Sequence, residues 1–357
     1  MAEFHTIKIA DIYKETDDTS VISFEIPSVL KEEFKFRQGQ HLTLKADING
    51  EDVRRSYSLC SGPTENQWKV AVKGIPGGKF STFVNNKLKA GDTLEVMAPS
   101  GTFGVEVNSE QSKNYLFFAA GSGITPVLSM IKAHLAQEPN STCKLFYVNK
   151  TAKSIIFKEE LEQLRNTYFG RLEIYYFLTK ERRDIELFNG RFDDEKMKVL
   201  TKTFIDIPDT SEVFLCGPEQ MVDYVSGYLV EAGLPKDLVH FELFVKGLSD
   251  EDIKRAERLA QQNVEGTEVT IVDGGKEFAF TMTKDFDNIL DAALNAGADL
   301  PFACKGGVCS TCKCEVKEGS VEMKINYALD DKEVSQNLVL SCQAVPTTDK
   351  VVVDFDV

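Results

Sequence analysis

Four cysteines near the C-terminus constrain the fold of this chain more than any other feature of its sequence. Cys304, Cys309 and Cys312 follow a Cys-x4-Cys-x2-Cys spacing, and 29 residues separate Cys312 from Cys342. This is the ligand spacing of a plant-type 2Fe-2S cluster. The segment around the first three cysteines is rich in Gly, Ser and Thr, so backbone N–H groups can turn toward cluster sulfurs. The pattern predicts a cluster-binding domain and a chain that moves electrons singly.

Two other uses of cysteine fit the spacing less well. Zinc sites prefer two compact ligand pairs, whereas Cys342 stands alone. Eight cysteines in 357 residues are few for a secreted disulfide scaffold, and a chain of this length can bury a core without cross-links. We interpret Cys60 and Cys143 as small buried side chains. Cys314 lies two residues beyond Cys312, on the same face of a predicted strand; we favour a packing role, although the spacing leaves ligand exchange open.

Charge narrows the range of partners. The chain carries 41 Lys and Arg against 56 Asp and Glu, a formal net charge of −15. This balance argues against nucleic acid and against an anionic membrane as partners. Residues 263–357 hold 17 acidic residues and eight lysines, so this segment alone carries −9. A partner with a basic docking patch is therefore expected.

The N-terminal sequence and the use of cysteine indicate a compartment. The first ten residues lack the charged and apolar regions of a signal peptide, and no apolar run approaches the length of a membrane span. Cysteines that serve as cluster ligands or packing residues indicate a reducing environment. We therefore expect a cytoplasmic protein with no membrane partner.

Three successive patterns predict three domains. The first hundred residues read as short strands separated by Gly, Pro, Asn and Asp turns, which favours a small antiparallel barrel. From residue 115, apolar strands alternate with helices, which predicts a doubly wound parallel sheet. A polar, charged linker follows, and then two strands and an amphipathic helix with Gly297 just beyond its end. The predicted boundaries are 1–108, 109–245, 246–265 for the linker, and 266–357.

Individual elements can be assigned within these domains. The barrel strands are predicted at 6–12, 19–26, 41–45, 54–60, 68–72 and 93–97. The strands of the parallel sheet are predicted at 115–120, 144–148, 172–178 and 212–216, with helices that end near 137 and span 157–164. In the last domain, strands at 269–272 and 277–281 precede a helix at 288–295.

Two glycine turns follow strands of the predicted parallel sheet. Gly121-Ser-Gly123-Ile-Thr125-Pro126 comes directly after one strand and opens a helix, so backbone N–H groups and the helix dipole favour a pyrophosphate above the strand end. A tight strand-to-helix turn with no ligand is the alternative. A second turn, Cys216-Gly217-Pro218, repeats the strand, turn and helix design, and Cys216 is expected at the same carboxyl edge.

The barrel contains two further candidate motifs. Strand alternation puts Arg55 and Tyr57 on one face, where an Arg could clamp a phosphate and a Tyr ring could lie against a flat cofactor; a cross-strand pair with no ligand is the alternative. Downstream, the Gly77-Gly78 turn is followed by Ser81 and Thr82, which we read as a Ser or Thr cap that opens a short helix and a second anion site. Two anion sites in separate domains suggest two nucleotides.

In this order, the motifs resemble the ferredoxin-NADP reductase superfamily over essentially the whole chain. Stretch 321–329, ahead of Cys342, is similar to the ferredoxin domain of the reductase subunits of phenylacetyl-CoA epoxidases, multicomponent di-iron enzymes that oxygenate a ring. The resemblance implies a six-stranded FAD-binding barrel, an NAD(P)-binding domain and a β-grasp ferredoxin domain. Its motifs are Arg55-Ser-Tyr57-Ser58, Gly77-Gly78-x-x-Ser81, Pro99-Ser-Gly-Thr-Phe103, Gly121-Ser-Gly123-Ile-Thr-Pro126, Cys216-Gly217-Pro218, Glu242-Leu-Phe244 and the ferredoxin cysteines.

The resemblance also assigns roles to residues. Arg55 would hold the FAD pyrophosphate, Tyr57 would stack on the isoalloxazine, and Ser58 would lie near flavin N5. The other expected contacts are as follows: Gly78, Ser81 and Thr82 at the FAD phosphates; Glu242 and Phe244 beside the flavin; Gly121, Gly123, Thr125, Pro126, Gly217 and Pro218 around the nicotinamide dinucleotide; Cys216 near the nicotinamide; and Cys304, Cys309, Cys312 and Cys342 at the irons. Tyr57, Ser58, Cys216 and Glu242 form the expected catalytic group.

The nucleotide is expected to be NADPH. No acidic residue follows the second strand of the sheet, where an NAD site usually has one; Asn149, Lys150 and Thr151 stand there instead. The third strand ends at Thr179-Lys180, a second turn rich in donors. Lysines on turns are usually only solvated. In the resembled family, however, the matching turns contact the 2′-phosphate, so Lys150, Thr179 and Lys180 are the expected contacts.

Electron counting completes the functional hypothesis. A nicotinamide delivers two electrons as a hydride and a 2Fe-2S cluster accepts one, so a flavin between them must store a pair and release single electrons. The expected route is NADPH to FAD to 2Fe-2S to an oxygenase component, with a phenylacetyl-CoA epoxidase as the favoured acceptor. The alternatives are a general reductase for a desaturase, a cytochrome or another oxygenase, an FMN-dependent reductase of similar domain order, and a non-catalytic redox sensor.

Overall fold

The computed structural model describes residues 3–244, 254–256, 258–259 and 266–357. The chain divides into two compact units, one formed by His5–Val53 and Tyr57–Phe244, the other by Met1–Phe4, Arg54–Ser56 and Val245–Val357. Most of the linker predicted at 246–265 lies outside the described residues; those of its residues that are described, 254–256 and 258–259, are helical. Within the described ranges, no helix has both the length and the apolar composition needed to cross a membrane.

The N-terminal part of the chain forms a six-stranded antiparallel barrel. Its sheet has the order β4-β3-β6-β1-β2-β5, and a bridge between Leu59 and Val70 joins the two ends. Alternate side chains point inward, so Ile7, Ile9 and Leu42 have no exposed surface. The strands are β1 (Phe4–Thr16), β2 (Thr19–Glu25), β3 (His41–Asp47), β4 (Asp52–Ser58), β5 (Trp68–Lys73) and β6 (Thr93–Met97), and helix α1 (Lys79–Asn86) connects β5 to β6.

The next part is a doubly wound parallel sheet. Its strands are β7 (Asn114–Ala120), β8 (Thr142–Asn149), β9 (Leu172–Leu178), β10 (Glu212–Cys216) and β11 (Val239–Glu242), and its helices are α2 (Ile124–Gln137), α3 (Lys158–Thr167), α4 (Asp194–Thr203) and α5 (Glu219–Glu231). Strands β7, β8 and β10 are buried almost throughout, as continuous apolar runs predict for a sheet covered on both faces. The order β11-β10-β7-β8-β9 reverses between β7 and β10, so a crevice opens where these two strands end.

The C-terminal part has the β-grasp architecture. A mixed sheet of order β13-β12-β18-β14-β16 pairs β12 with β18 in parallel and its other neighbours antiparallel, and β15 pairs with β17. The core includes Val269, Ile289 and Val351, each without exposed surface. The elements are β12 (Thr267–Asp273), β13 (Lys276–Met282), α6 (Ile289–Asn295), β14 (Lys313–Glu318), β15 (Val321–Met323), α7 (Asp331–Ser335), β16 (Leu338–Leu340), β17 (Ala344–Pro346) and β18 (Lys350–Asp354).

Helices α3 and α6 begin one residue later than predicted, because Phe157 and Asn288 precede them at the N-cap position. Asn288 caps α6, since its side-chain oxygen accepts the N–H of Asp291 at 2.8 Å. Phe157 precedes α3 in a left-handed conformation, with φ of 61°. Gly297 follows α6 with φ of 99°, which confirms its predicted place beyond the helix end.

Candidate functional site

The glycine turn after β7 packs directly against the turn after β10. Gly121 has φ of 54°, a left-handed conformation that residues with a side chain rarely adopt. A Cβ at Gly123 would lie 2.0 Å from the carbonyl oxygen of Cys216, so only glycine fits there. The hydroxyl of Thr125 donates to the carbonyl of Ser122 at 3.0 Å and holds the start of α2. The two predicted turns therefore meet at the point where the strand order reverses.

The start of α2 has the properties of an anion site. No side chain caps its N-terminus, and because the N–H of Ile124 donates to the carbonyl of Gly121, the N–H groups of the preceding glycine turn are the ones left for a ligand. These groups and the helix dipole attract a pyrophosphate. Pro126 lies in the first turn, where a missing N–H costs no intrahelical bond. Pro218 precedes α5 in an extended conformation and closes the neighbouring turn at Gly217.

Ser58, Cys216 and Glu242 come from three separate strands and converge at one end of the crevice. The hydroxyl of Ser58 donates to Oε2 of Glu242 at 3.3 Å, which joins the barrel to the edge of the parallel sheet. Cys216 and Glu242 are register partners at the ends of β10 and β11. Burial and the charge of Glu242 raise the pKa of the Cys216 thiol well above its ordinary value. The thiol is therefore neutral, in agreement with a role other than covalent nucleophile.

Tyr57, Phe244 and Arg55 occupy the remaining predicted positions near the barrel end. Tyr57 is half-buried, and its ring packs against that of Phe80 with 5.8 Å between centroids. Phe244 packs, partly buried, on the core of the parallel sheet. Arg55 is exposed on β4, and its guanidinium donates to the carbonyl of Arg54 at 2.6 Å. An aromatic ring and an arginine with exposed surface are thus present on this strand.

The expected Ser or Thr cap at the start of α1 is wrong. The helix begins at Lys79 after Gly78, so Ser81 and Thr82 lie within its first turn. The buried hydroxyl of Ser81 accepts the N–H of Ile75 at 3.2 Å, which stabilises the preceding glycine turn. Thr82 is exposed. Because Gly78 has no side chain to cap the helix, the first N–H groups of α1 stay available.

The two turns predicted to read the 2′-position lie side by side. The N–H of Lys180 donates to the carbonyl of Lys150 at 2.8 Å, and the N–H of Thr179 donates to that of Asn149 at 2.9 Å. Both lysines are exposed. Among the residues that the structure describes, neither lysine side chain has an ion-pair or hydrogen-bond partner. Two cationic groups therefore stand together at the carboxyl edge of β8 and β9.

The four cysteines that the sequence predicts as cluster ligands fall into two pairs. The thiols of Cys304 and Cys309 are hydrogen-bonded to each other, as are those of Cys312 and Cys342. No group of three or more His, Cys, Asp or Glu side chains arranged as ligands of a metal ion occurs among the described residues. A 2Fe-2S cluster needs four cysteines, two at each iron. The two pairs fit that requirement.

One sulfur of each pair lies in surroundings that favour the thiolate, whereas its partner, Cys309 or Cys312, has a raised pKa because it donates to that sulfur and is buried. The hydrogen bond from Cys309 lowers the pKa of Cys304 to about 6, and the one from Cys312 lowers the pKa of Cys342. The N–H of Gly306 donates to the sulfur of Cys304 at 3.2 Å, which confirms the expected use of backbone donors in this loop. Since thiolates are the form that binds metal, the donor set suits an iron-sulfur cluster.

Cys314 lies apart from these pairs. It is fully buried on β14 within the hydrophobic core, and burial raises its pKa. Cys60 and Cys143 are also buried, as predicted for small apolar side chains.

Two polar residues that the sequence did not single out support these sites. Lys132 is buried on α2 and pairs with Glu160 at 2.6 Å and with Glu65 at 3.2 Å, which links a barrel loop to α3. Gln343 donates to the sulfur of Cys342 at 3.5 Å and to the carbonyl of Lys305 at 3.0 Å. A lysine on a helix is usually exposed to solvent, so nothing in the local sequence distinguishes Lys132. The only sequence signal for Gln343 was its position next to Cys342, a predicted ligand.

Three family models match successive parts of the chain. Residues 6–104 match an oxidoreductase FAD-binding domain, residues 117–227 an oxidoreductase NAD-binding domain, and residues 271–347 a 2Fe-2S iron-sulfur cluster binding domain. Together these models span the barrel, the parallel sheet and the β-grasp domain.

Relatives match along the full length. The chain is 42% identical to a subunit of the 1,2-phenylacetyl-CoA epoxidase of Escherichia coli K12, over 100% of this chain and 99% of the relative. It is 32% identical to the ferredoxin reductase component of 3-ketosteroid-9-alpha-monooxygenase of Rhodococcus rhodochrous, over 98% and 96%. Among solved structures, phthalate dioxygenase reductase aligns with a TM-score of 0.60 and 24% identity, over 99% of this chain and 98% of that one, and shares the fold.

Domain content, full-length similarity and fold agree on one assignment. The chain has the three domains that carry electrons from a pyridine nucleotide through FAD to a 2Fe-2S cluster, and its similarity extends to reductase components of oxygenases. The chain therefore belongs to the ferredoxin-NADP reductase superfamily, in the group whose members end in a plant-type 2Fe-2S domain and supply electrons to oxygenases.

Proposed function

We propose that this chain is the reductase component of a multicomponent phenylacetyl-CoA epoxidase and passes electrons from NADPH through FAD and a 2Fe-2S cluster to the oxygenase component. The observation that carries the proposal is the 42% identity to the E. coli epoxidase component over the full chain. The steroid monooxygenase reductase is also similar over its full length but is only 32% identical. The first relative therefore favours the epoxidase.

The flavin end of the route uses residues of the barrel and of β11. A bound FAD accepts a hydride and releases its electrons one at a time, and a bound cluster accepts them singly. Tyr57 offers its ring to the isoalloxazine, and Arg55 offers a guanidinium to the pyrophosphate. Gly78, Ser81 and Thr82 shape the phosphate site at α1. Ser58 donates its hydroxyl proton to Glu242, and this hydrogen bond holds the two side chains together at the predicted flavin edge. Phe244 adds an aromatic wall.

The nicotinamide end uses the crevice between β7 and β10. The N–H of Ser122, which follows Gly121, binds the pyrophosphate. Gly123 lets the turn pack against Cys216, and Thr125 and Pro126 shape the first turn of α2. Cys216, neutral and fully buried, would lie beneath the nicotinamide ring, and Gly217 and Pro218 would shape the turn beside it. An uncharged thiol neither attacks the ring nor competes for its hydride.

The cluster end uses four thiolates. Cys304 and Cys309 would hold one iron, and Cys312 and Cys342 the other. Gly306 and Gln343 donate to two of these sulfurs and reduce their negative charge. Such donors make a cluster easier to reduce.

The preference for NADPH rests on the adjacent turns at the ends of β8 and β9. Lys150 and Lys180 would pair with the 2′-phosphate, and Thr179 would donate a hydroxyl proton to it. Loss of one charge-assisted contact costs about 1.5–3 kcal/mol, so Lys180→Ala should raise the KM for NADPH about tenfold or more and leave that for NADH nearly unchanged. Lys198→Ala, an exposed lysine on α4, is the control. A native chain with the higher kcat/KM for NADH contradicts the preference.

The acidic charge of the chain supports an oxygenase partner with a basic surface, and its cysteine chemistry supports a cytoplasmic location. The −9 charge of residues 263–357 suits an oxygenase with a basic docking patch. Cysteine pairs held as cluster ligands suit the reducing cytoplasm.

We place the domain boundaries at 108/109, 245/246 and 265/266, since the matched segments 6–104, 117–227 and 271–347 fall inside the three domains.

A coupled assay tests the proposed function. The purified chain should show overlapping flavin and iron-sulfur absorbance, release FAD rather than FMN, and support NADPH oxidation that depends on phenylacetyl-CoA when mixed with the oxygenase component of a phenylacetyl-CoA epoxidase. A steroid 9α-monooxygenase oxygenase serves as the comparison. Equal or faster coupling to the steroid oxygenase would overturn the epoxidase assignment. A native chain that reduces no acceptor with either nucleotide would favour the alternative function of a non-catalytic redox sensor.

A further inference from the structure

The buried hydroxyl of Tyr147 reaches the glycine turn from the neighbouring strand. Tyr147 lies on β8 without exposed surface, and its hydroxyl donates to the carbonyl oxygen of Gly121 at 2.9 Å. The carbonyl of Ile156 lies farther away, at 3.4 Å. Burial raises the pKa of Tyr147 far above its ordinary value, so the hydroxyl keeps its proton and remains a donor.

This contact determines the direction of one peptide group. In a trans peptide, the C=O and the following N–H point in opposite directions. The carbonyl of Gly121 accepts both from Tyr147 and from the N–H of Ile124, so it points into the protein. The N–H of Ser122 must then point away from β8 and α2, which is outward from the turn. Side-chain packing does not fix this peptide, because no atom beyond the chain neighbours of Gly121 lies within 4 Å of the position of its missing Cβ.

We propose that Tyr147 is a positioning residue for dinucleotide binding: its hydroxyl fixes the Gly121–Ser122 peptide so that the Ser122 N–H is oriented toward the pyrophosphate. This inference rests on the proposed nucleotide site, but it assigns a role to a residue that touches no ligand. Thr125 acts on the next peptide in the same way, since its hydroxyl holds the carbonyl of Ser122 at 3.0 Å. The turn is thus held from β8 and from its own helix.

The test removes the hydroxyl alone. Tyr147→Phe keeps the ring and should raise the Kd of both NADP⁺ and NAD⁺ about 3- to 10-fold, because both carry the pyrophosphate and one neutral hydrogen bond orients the donor. The Kd is measured by titration calorimetry on the flavin-loaded full chain. The KM for NADPH should rise by a similar factor with kcat at saturation unchanged.

Tyr176→Phe is the matched control. Tyr176 is the register partner of Tyr147 on β9, and its hydroxyl donates to Glu162 at 3.0 Å rather than to the turn. Its Kd values should equal those of the native chain. The proposal is overturned if Tyr147→Phe leaves both Kd values within about twofold of native, or if Tyr176→Phe weakens binding equally. Since binding of the oxidised nucleotides needs no turnover, this outcome is separate from failure of the coupled assay.

Discussion

At the scale of single residues, the cysteines divide according to their surroundings. Cys304 and Cys342 have a lowered pKa because a partner thiol and further donors stabilise the thiolate. Cys216 and Cys314 have a raised pKa because burial disfavours the charged form. The same side chain therefore favours the thiolate where donors surround it and the neutral thiol where burial dominates.

This division predicts the outcome of replacing each cysteine. Serine at Cys304, Cys309, Cys312 or Cys342 should abolish the cluster and the reduction of cytochrome c, because each iron loses a thiolate. Flavin content and ferricyanide reduction with NADPH should persist, since the flavin site lies in another domain. Iron, labile sulfide and both activities are measured for each variant.

Cys314→Ser is the control for ligation. It should keep iron and sulfide at the native ratio to protein, although a hydroxyl in the core will lower the thermal midpoint. Loss of iron in Cys314→Ser together with retention in Cys312→Ser would show that the assignment of the third ligand is wrong.

At the scale of elements, the site depends on how closely two turns approach each other. The Gly123 backbone lies against Cys216 and Gly217, so the turn after β7 and the turn after β10 pack directly against each other. Gly121 differs, because conformation rather than space restricts it. The two glycines of one motif are therefore required for different physical reasons.

Alanine substitutions should separate these reasons. Gly123→Ala forces the two backbone segments apart. It should therefore lower the free energy of unfolding by more than about 2 kcal/mol and weaken nucleotide binding. Gly121→Ala should cost about 1–2 kcal/mol, the strain of a left-handed residue. Thermal midpoints and the Kd of NADP⁺ report both effects.

Gly227→Ala is the matched control for these substitutions. Gly227 lies inside α5 with open space around it, so alanine there should stabilise the chain by about 0.5–1 kcal/mol. A Gly123→Ala variant that is as stable as Gly227→Ala and binds NADP⁺ normally would contradict the close packing.

At the scale of the whole molecule, charge is distributed unevenly. Residues 263–357 make up about a quarter of the chain but carry −9 of the total −15. Most lysines of this segment pair with carboxylates, as Lys305 does with Asp291 at 2.6 Å and Lys324 with Asp287 at 2.8 Å. The excess is therefore acidic and is available to a partner protein.

The acidic excess predicts electrostatic steering of the oxygenase. The bimolecular rate of oxygenase reduction should fall clearly between low and high ionic strength, because the Debye length is about 10 Å at 0.1 M salt and shortens further as salt is added. Reduction of the flavin by NADPH, followed by stopped-flow absorbance in the same protein, should change less. A rate of oxygenase reduction that is independent of salt would show that the acidic face is only solvated.

The domain types and most elements could be predicted from the sequence, because the signals for these are local. Strand β10 occurs where its apolar run predicts it, since a parallel strand covered on both faces is almost continuously apolar. The cysteine spacing likewise identified the cluster domain, because ligand spacing is written along the chain. The predicted Ser or Thr cap of α1 was wrong. The hydroxyl of Ser81 accepts the N–H of Ile75 instead, a contact that residue spacing does not reveal.

Which of these residues meet depends on long-range packing, which the sequence does not reveal. Ser58 and Glu242 are 184 residues apart, and their hydrogen bond exists because the barrel and the parallel sheet pack together. The links from Tyr147 to Gly121 and from Lys132 to Glu65 likewise join different elements. A buried hydroxyl or ammonium needs a partner, but its sequence neighbours do not say which one, since long-range packing brings the partner to it.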